Sequence, residues 1–163
     1  MALQLPLPAK VVAHAHWTMD KQKMSKSIGN VVNPFFALDR FGSDVMRFYL
    51  AYDGRIADDT DYDNFQIIAR YKKVLAGGLG NLTSRITRAK GWNLATIVKD
   101  VIEQGNMAAP PRDAEDVKMW RRLKFVHNKI EEEMQSYDIP EALYSIMHIV
   151  TEVSLQSIPD HSA

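Results

Sequence analysis

Asn64-Phe65-Gln66-Ile67-Ile68-Ala69-Arg70-Tyr71-Lys72-Lys73-Val74-Leu75-Ala76-Gly77-Gly78-Leu79-Gly80-Asn81-Leu82-Thr83-Ser84-Arg85-Ile86 is the stretch on which the fold turns. Phe65, Ile68, Tyr71, Leu75, Leu79, Leu82 and Ile86 recur every three or four positions. That is the period of one helical face, kept for about six turns, and it predicts the core of a helical bundle. Gly77, Gly78 and Gly80 each lower helix propensity by roughly 1 kcal/mol relative to Ala, so close packing, a kink or a break is expected there. They are not a nucleotide fingerprint, because the G-x-G-x-x-G spacing is absent and no strand precedes them.

The pattern continues on the C-terminal side. Gly91 is a helix stop, and Trp92 to Arg112, with Pro110-Pro111, reads as a loop holding at most a short helical turn. An amphipathic helix is expected from about Asp113 to Tyr137, with Val117, Trp120, Leu123, Val126, Ile130 and Met134 on its buried stripe. Asp138-Ile139-Pro140 starts another helix, with Leu143, Met147, Val150 and Val153 facing inward.

On the N-terminal side, Asp53 to Asp63 collects carboxylates, and Asp59, Asp61 and Asp63 have the alternate spacing of a calcium loop. The glycine position is Asn64 and the bidentate glutamate position is Arg70, so that pattern fails. Asp63 or Asn64 is expected to cap the long helix instead. Ser43 is a cap candidate for a helix from Asp44 to Tyr52 closed by Gly54, and Asn33-Pro34 for a shorter helix ended by Gly42. Phe35, Phe36 and Leu38 are expected to make one side of that shorter helix apolar. Val11 to Ala13 suggest a short buried strand leading to His14 and His16, and Thr18 to Gln22 a turn. Two histidines at this spacing with no third ligand do not make a metal site.

The 163 residues carry a formal net charge of zero, 46% hydrophobic and 25% charged side chains, and no cysteine. This is the composition of a globular chain of one ordinary domain or two small ones. Disulfides, thiol nucleophiles and cysteine-based zinc sites are excluded, no zinc is expected, and no apolar run is long enough to span a membrane. Met1 to Lys10 lacks the features of a signal or transit peptide and reads as the middle of a domain. The zero net charge hides local polarity. From Asn64 to Lys99 there is no Asp or Glu, whereas Arg70, Lys72, Lys73, Arg85, Arg88, Lys90 and Lys99 are positive, a pattern that suits an anionic partner.

Lys23-Met24-Ser25-Lys26-Ser27-Ile28-Gly29-Asn30 places two lysines three residues apart among serine hydroxyls, with a glycine that lets the backbone turn. Two ammonium groups can neutralise a polyphosphate while hydroxyls and loop N–H groups donate to its oxygens. The string resembles the second signature of class I aminoacyl-tRNA synthetases. Continued through Val31-Val32-Asn33-Pro34, it resembles the methionyl-tRNA synthetase version. The resemblance implies a loop that closes on the triphosphate of ATP, carried with Mg2+, while methionine is activated to methionyl-adenylate. It makes Lys26 the main stabiliser of the pyrophosphate leaving group, with Lys23 in support and Ser25 and Ser27 beside the nucleotide. Asp44-Val45-Met46-Arg47-Phe48-Tyr49-Leu50 resembles the family's helix after that loop.

Asn81 and Arg85 share a helix face, where an amide and a guanidinium together can read and stack on splayed RNA bases. Leu79-Gly80-Asn81-Leu82-Thr83-Ser84-Arg85 resembles the start of the family's anticodon-binding domain, which implies that Asn81 and Arg85 contact the CAU anticodon of tRNA(Met). Arg70, Lys72, Lys73, Arg88 and Lys90 are candidate phosphate contacts.

A mainly α fold is therefore expected. Residues 1–60 would form a small mixed segment with the phosphate loop, the end of a catalytic domain with adjoining stem-contact helices. Residues 61–163 would form an incomplete anticodon-binding-type bundle. No His-x-Gly-His string of the Rossmann portion occurs, so the isolated chain is expected to be inactive, with methionine bound only if that portion is supplied. After Val153 the sequence Ser154 to Ala163 departs from the family pattern, and an apolar face is expected to be left exposed. The alternatives are a non-catalytic tRNA-binding module and a truncated product without independent function. The loop spelling looks closest to mitochondrial members.

Overall fold

The computed structural model describes residues 7–88, 93–103 and 114–155. It is mainly helical, with one small mixed sheet. β1 (Trp17–Met19) pairs antiparallel with β2 (Gln22–Lys23) and parallel with β3 (Thr60–Asp61), giving the order β2-β1-β3. The strand expected at Val11 to Ala13 lies further on, at β1, and Val11 is 81% exposed. Apolar residues become a strand only where partners exist, and the partners are β2 and β3.

Between the strands run α1 (Pro34–Phe41) and α2 (Ser43–Asp53). Asn33 caps α1 as expected, its side chain accepting the N–H of Phe35 at 2.9 Å, and Pro34 sits in the first turn. Gly42 (φ 81°) ends α1 and is also the N-cap of α2, so Ser43 falls inside the helix and makes no cap hydrogen bond. Gly54 closes α2 through its N–H to the Leu50 carbonyl. A side chain there would not fit, since a Cβ would stand 2.3 Å from the Leu50 oxygen and 3.0 Å from Trp17.

The core gathers Ala37, Met46, Tyr49 and Ile67, with Trp17, Val32, Phe41, Val45 and Tyr62 packed around them. Tyr49 is its centre. Its ring meets Trp17 at 5.4 Å and the edge of Tyr62 at 6.1 Å, and its hydroxyl donates to the Asp61 carbonyl while accepting the Asp63 N–H. Burial pushes the phenol up to about 12. Phe35 and Phe36, expected on the apolar side of α1, are exposed, whereas Ala37 is buried.

The long helix starts where the sequence places it, with the Asp63 carboxylate capping the Phe65 N–H at 2.8 Å. α3 (Asn64–Arg70) passes without a break into a π-helical segment, Tyr71–Gly80, and then into α4 (Asn81–Thr87). The glycines do not stop it. They admit the wider turn, since a Cβ on Gly77 would stand 2.9 Å from the carbonyl oxygen of Lys72, five residues back. The buried face also differs from the expected one. Ile67 is fully buried, while Phe65, Tyr71 and Leu79, expected inside, are exposed.

α5 (Leu94–Glu103) replaces the loop expected there. α6 (Ala114–Gln135) and α7 (Ile139–Leu155) occupy the expected places. α7 packs on α6, α2, the π segment and α4, and buries Ala142, Ser145 and Ile149. On α6 the expected core residues Trp120, Leu123 and Met134 are exposed. Periodicity defines that stripe; only a neighbour can cover it.

Candidate functional site

The loop Lys23–Asn30 begins on the last residue of β2. It folds back on itself, with the N–H groups of Ile28 and Gly29 both donating to the Ser25 carbonyl and Gly29 at φ 77°. Asn30 closes it from inside, its amide oxygen accepting the Ser25 N–H at 2.7 Å while its NH2 donates to the Lys23 carbonyl at 3.3 Å. Ser25 and Ser27 share a hydroxyl–hydroxyl bond of 2.7 Å. Lys23, Lys26 and Ser27 are exposed and Ser25 is half-buried. Among the described residues the ion pairs involve other side chains, which leaves both ammonium groups facing solvent. Such a loop is a closed frame with its cations outward, suited to an anion with several oxygens.

Three of the carboxylates between Asp53 and Asp63 accept backbone N–H groups. Asp59 accepts the His16 N–H at 2.8 Å, Asp61 accepts the Lys21 N–H and the Thr18 hydroxyl, and Asp63 caps α3. These bonds, first of all that to the Lys21 N–H, hold the Asp61 carboxyl below the usual carboxylate range. Sequence reasoning assigned no role to Asn30, Asp59 or Asp61. The available signal was residue type alone, since Asn and Asp side chains bond nearby backbone in turns. Among the described residues no group of three or more His, Asp or Glu is placed to hold a metal ion.

The second set of candidates lies on the long helix. Asn81 is exposed on the first turn of α4. Arg85, one turn on, is half-buried and donates to the Ser154 carbonyl at the end of α7. The last carbonyls of a helix lack intrahelical partners and sit at the negative end of its dipole, so a guanidinium is a natural partner. Lys72, Lys73 and Arg88 are exposed. Lys73 lines a cleft of about 270 Å³ with Tyr52, Tyr144, Met147 and His148. Arg70 is held by both carboxylate oxygens of Asp53, and its guanidinium carbon stands 5.2 Å from the centre of the Tyr52 ring. Lys90 lies outside the described residues.

The family model described as tRNA synthetases class I (M) matches residues 1–87, just over half of the chain. The chain belongs to this family. It is 45% identical over 158 residues to the probable mitochondrial methionine–tRNA ligase of Neurospora crassa, a match covering 94% of this chain and 25% of that protein. The corresponding protein of Schizosaccharomyces pombe is 44% identical over 90 residues, 55% of this chain and 17% of its own. The fold is similar to Mycobacterium tuberculosis methionyl-tRNA synthetase in complex with methionyl-adenylate. There the TM-score is 0.68 at 25% identity, over 90% of this chain and 27% of that one. The class I synthetase chain therefore spans about a quarter of the length of the Neurospora relative and of the mycobacterial one.

Proposed function

We propose that these residues are part of a methionine–tRNA ligase, in which the loop Lys23–Asn30 handles the triphosphate of ATP and α4 faces the anticodon of tRNA(Met). The observation that carries this reading is the Lys-Met-Ser-Lys-Ser loop itself. It is a braced frame with exposed lysines, in a class I synthetase chain similar to methionine–tRNA ligases. In the activation step the methionine carboxylate attacks the α-phosphorus, the bond to the β-phosphate oxygen breaks, and pyrophosphate leaves with the electron pair. Lys26 stabilises the charge that develops on that leaving group and Lys23 assists. Ser25 and Ser27 supply hydroxyls to the nucleotide, and Mg2+ accompanies the phosphates.

In this reading residues 1–60 form the end of the catalytic portion and residues 61–163 the anticodon-binding portion. Asn81 and Arg85 contact the CAU bases, while Lys72, Lys73, Arg88, Lys90 and Arg70 are candidate phosphate contacts. The similarity to mitochondrial ligases supports a mitochondrial location. In the protein that carries these residues, Lys26→Ala is expected to lower methionine-dependent ATP–pyrophosphate exchange by on the order of 100-fold. Exchange at the wild-type rate would remove Lys26 from the chemistry.

For the 163 residues alone, the lack of a His-x-Gly-His string favours a second reading, RNA binding without methionine activation. Binding that falls steeply with salt and prefers tRNA(Met) over a variant with a changed anticodon supports it. Equal affinity for the two RNAs counts against Asn81 and Arg85.

A further inference from the structure

The turn that delivers the loop is held from outside its own sequence. Asp20 (φ 51°) and Lys21 (φ 60°) both lie in the left-handed region and join β1 to β2, with Met19 opposite Gln22. Two central residues with positive φ make a type I′ turn, whose preferred residues are Asn and Gly, not Lys. β2 is two exposed residues long, so little packing of its own sets where it lies. The compensation comes from β3. A single Asp61 oxygen accepts the Lys21 N–H at 2.9 Å and the Thr18 hydroxyl at 2.7 Å. Thr18 is buried and stands opposite Lys23 in one register and Asp61 in the other. Asp61 is fixed in turn, because the buried Tyr49 hydroxyl donates to its carbonyl at 3.1 Å.

We propose that Asp61 is a positioning residue for the loop Lys23–Asn30, fixing through the Asp20–Lys21 turn the place from which Lys23 and the Asn30-closed frame project toward a polyphosphate. Asp61 does not touch the phosphate. The functional half of the inference rests on reading the loop as a polyphosphate site; the positioning half is visible without any ligand.

The test compares the wild-type 163-residue chain with Asp61→Ala and Asp61→Asn, first by amide spectra and hydrogen exchange and then by titration with inorganic tripolyphosphate. Asparagine keeps an acceptor oxygen and loses the charge; alanine loses both. In Asp61→Ala the amide signals of Lys21 and of Lys23 to Asn30 are expected to move, and Lys21 exchange to quicken about 10-fold, while signals around Tyr49 and Ile67 stay in place. Asp61→Asn is expected to restore the loop signals. The titration then sets two effects against each other. Removing a nearby negative charge alone would tighten anion binding in both variants. Loss of positioning weakens it in Asp61→Ala only, by about 10-fold.

Loop signals unmoved in Asp61→Ala, or unrestored in Asp61→Asn, overturn the inference, as does tighter tripolyphosphate binding in both variants. If Asp61→Ala does not fold, Thr18→Val removes one of the two bonds and is expected to shift the same loop signals, unmoved signals again refuting the proposal. A wild-type chain that ignores tripolyphosphate, or Lys26→Ala binding it as well as wild type, refutes the polyphosphate reading instead. The spectra still decide the role of Asp61.

Discussion

Arg70 and Asp53 lock the end of α2 to the end of α3, and separating them should be costly. Arg70 Nε lies 3.1 and 2.9 Å from the two carboxylate oxygens of Asp53, and a terminal nitrogen lies 2.7 Å from one of them. The side chains are 30% and 14% exposed, so the pair is neither a solvated surface bridge nor fully dry. Hydrogen bonds to charged groups contribute about 1.5–3 kcal/mol, and breaking a fully buried pair costs about 3–5 kcal/mol. Discounting for the exposed third of Arg70, we expect a coupling of about 2 kcal/mol. For a domain of this size that lowers Tm by roughly 4–8 °C. The assay is a urea-denaturation cycle of Asp53→Ala, Arg70→Ala and the double variant. Single effects that add to within about 0.5 kcal/mol would show no coupling and refute the argument. The same variants test Arg70 as a phosphate contact. In that role Arg70→Ala lowers the slope of log affinity against log salt by about one, whereas Asp53→Ala leaves it alone.

Three further outcomes are expected. Asn30→Ala removes the acceptor of the Ser25 N–H, a loss of about 1.4 kcal/mol that should raise Ser25 amide exchange about 10-fold; unchanged exchange would show that the loop closes without it. The Asp61 carboxyl is held below its ordinary value of 3.8, so the folded state binds that proton less readily than the unfolded one. Its stabilisation is full above that ordinary value and is lost as pH falls through the lower folded value. Wild type should therefore lose stability relative to Asp61→Asn on acidification below about pH 4, and parallel pH curves would refute this. Tyr137 stands at φ 65° where α6 ends, with the Asp138 N–H bonded to the Glu133 carbonyl and the Tyr137 N–H to the Met134 carbonyl. A glycine relieves about 1 kcal/mol of left-handed strain there. Tyr137→Gly is thus expected to raise Tm by a few degrees, and a fall would mean that the Lys10 contact with the Tyr137 ring matters more.

Caps and stops were legible because they are local. Asn33, Asp63, Gly42 and Gly54 act on backbone a few residues away, and the sequence order of those residues is the whole of their geometry. The long helix was legible as an existence but not as a face. Already in α3, ahead of the π segment, Ile67 is buried against Ala37, Met46 and Tyr49 while Phe65 is exposed, and the π segment that follows turns more slowly than the α period assumed in reading the pattern. The stripe on α6 was legible as apolar, yet burial of Trp120 and Met134 depends on a neighbour that a period cannot supply.

Legible without the structure were a mainly helical fold, the cation and hydroxyl content of the loop and, from the spelling of its motif, the family resemblance. Tertiary structure alone decided what each polar side chain holds. Asp61 reaches Lys21 across 40 residues, Arg85 reaches Ser154 across 69, and Arg70 reaches Asp53 across 17. The carboxylates that looked in sequence like an incomplete cation loop became three separate braces. A hydrogen bond is fixed by distance and direction in space, and for partners this far apart in the chain neither exists until the chain has folded.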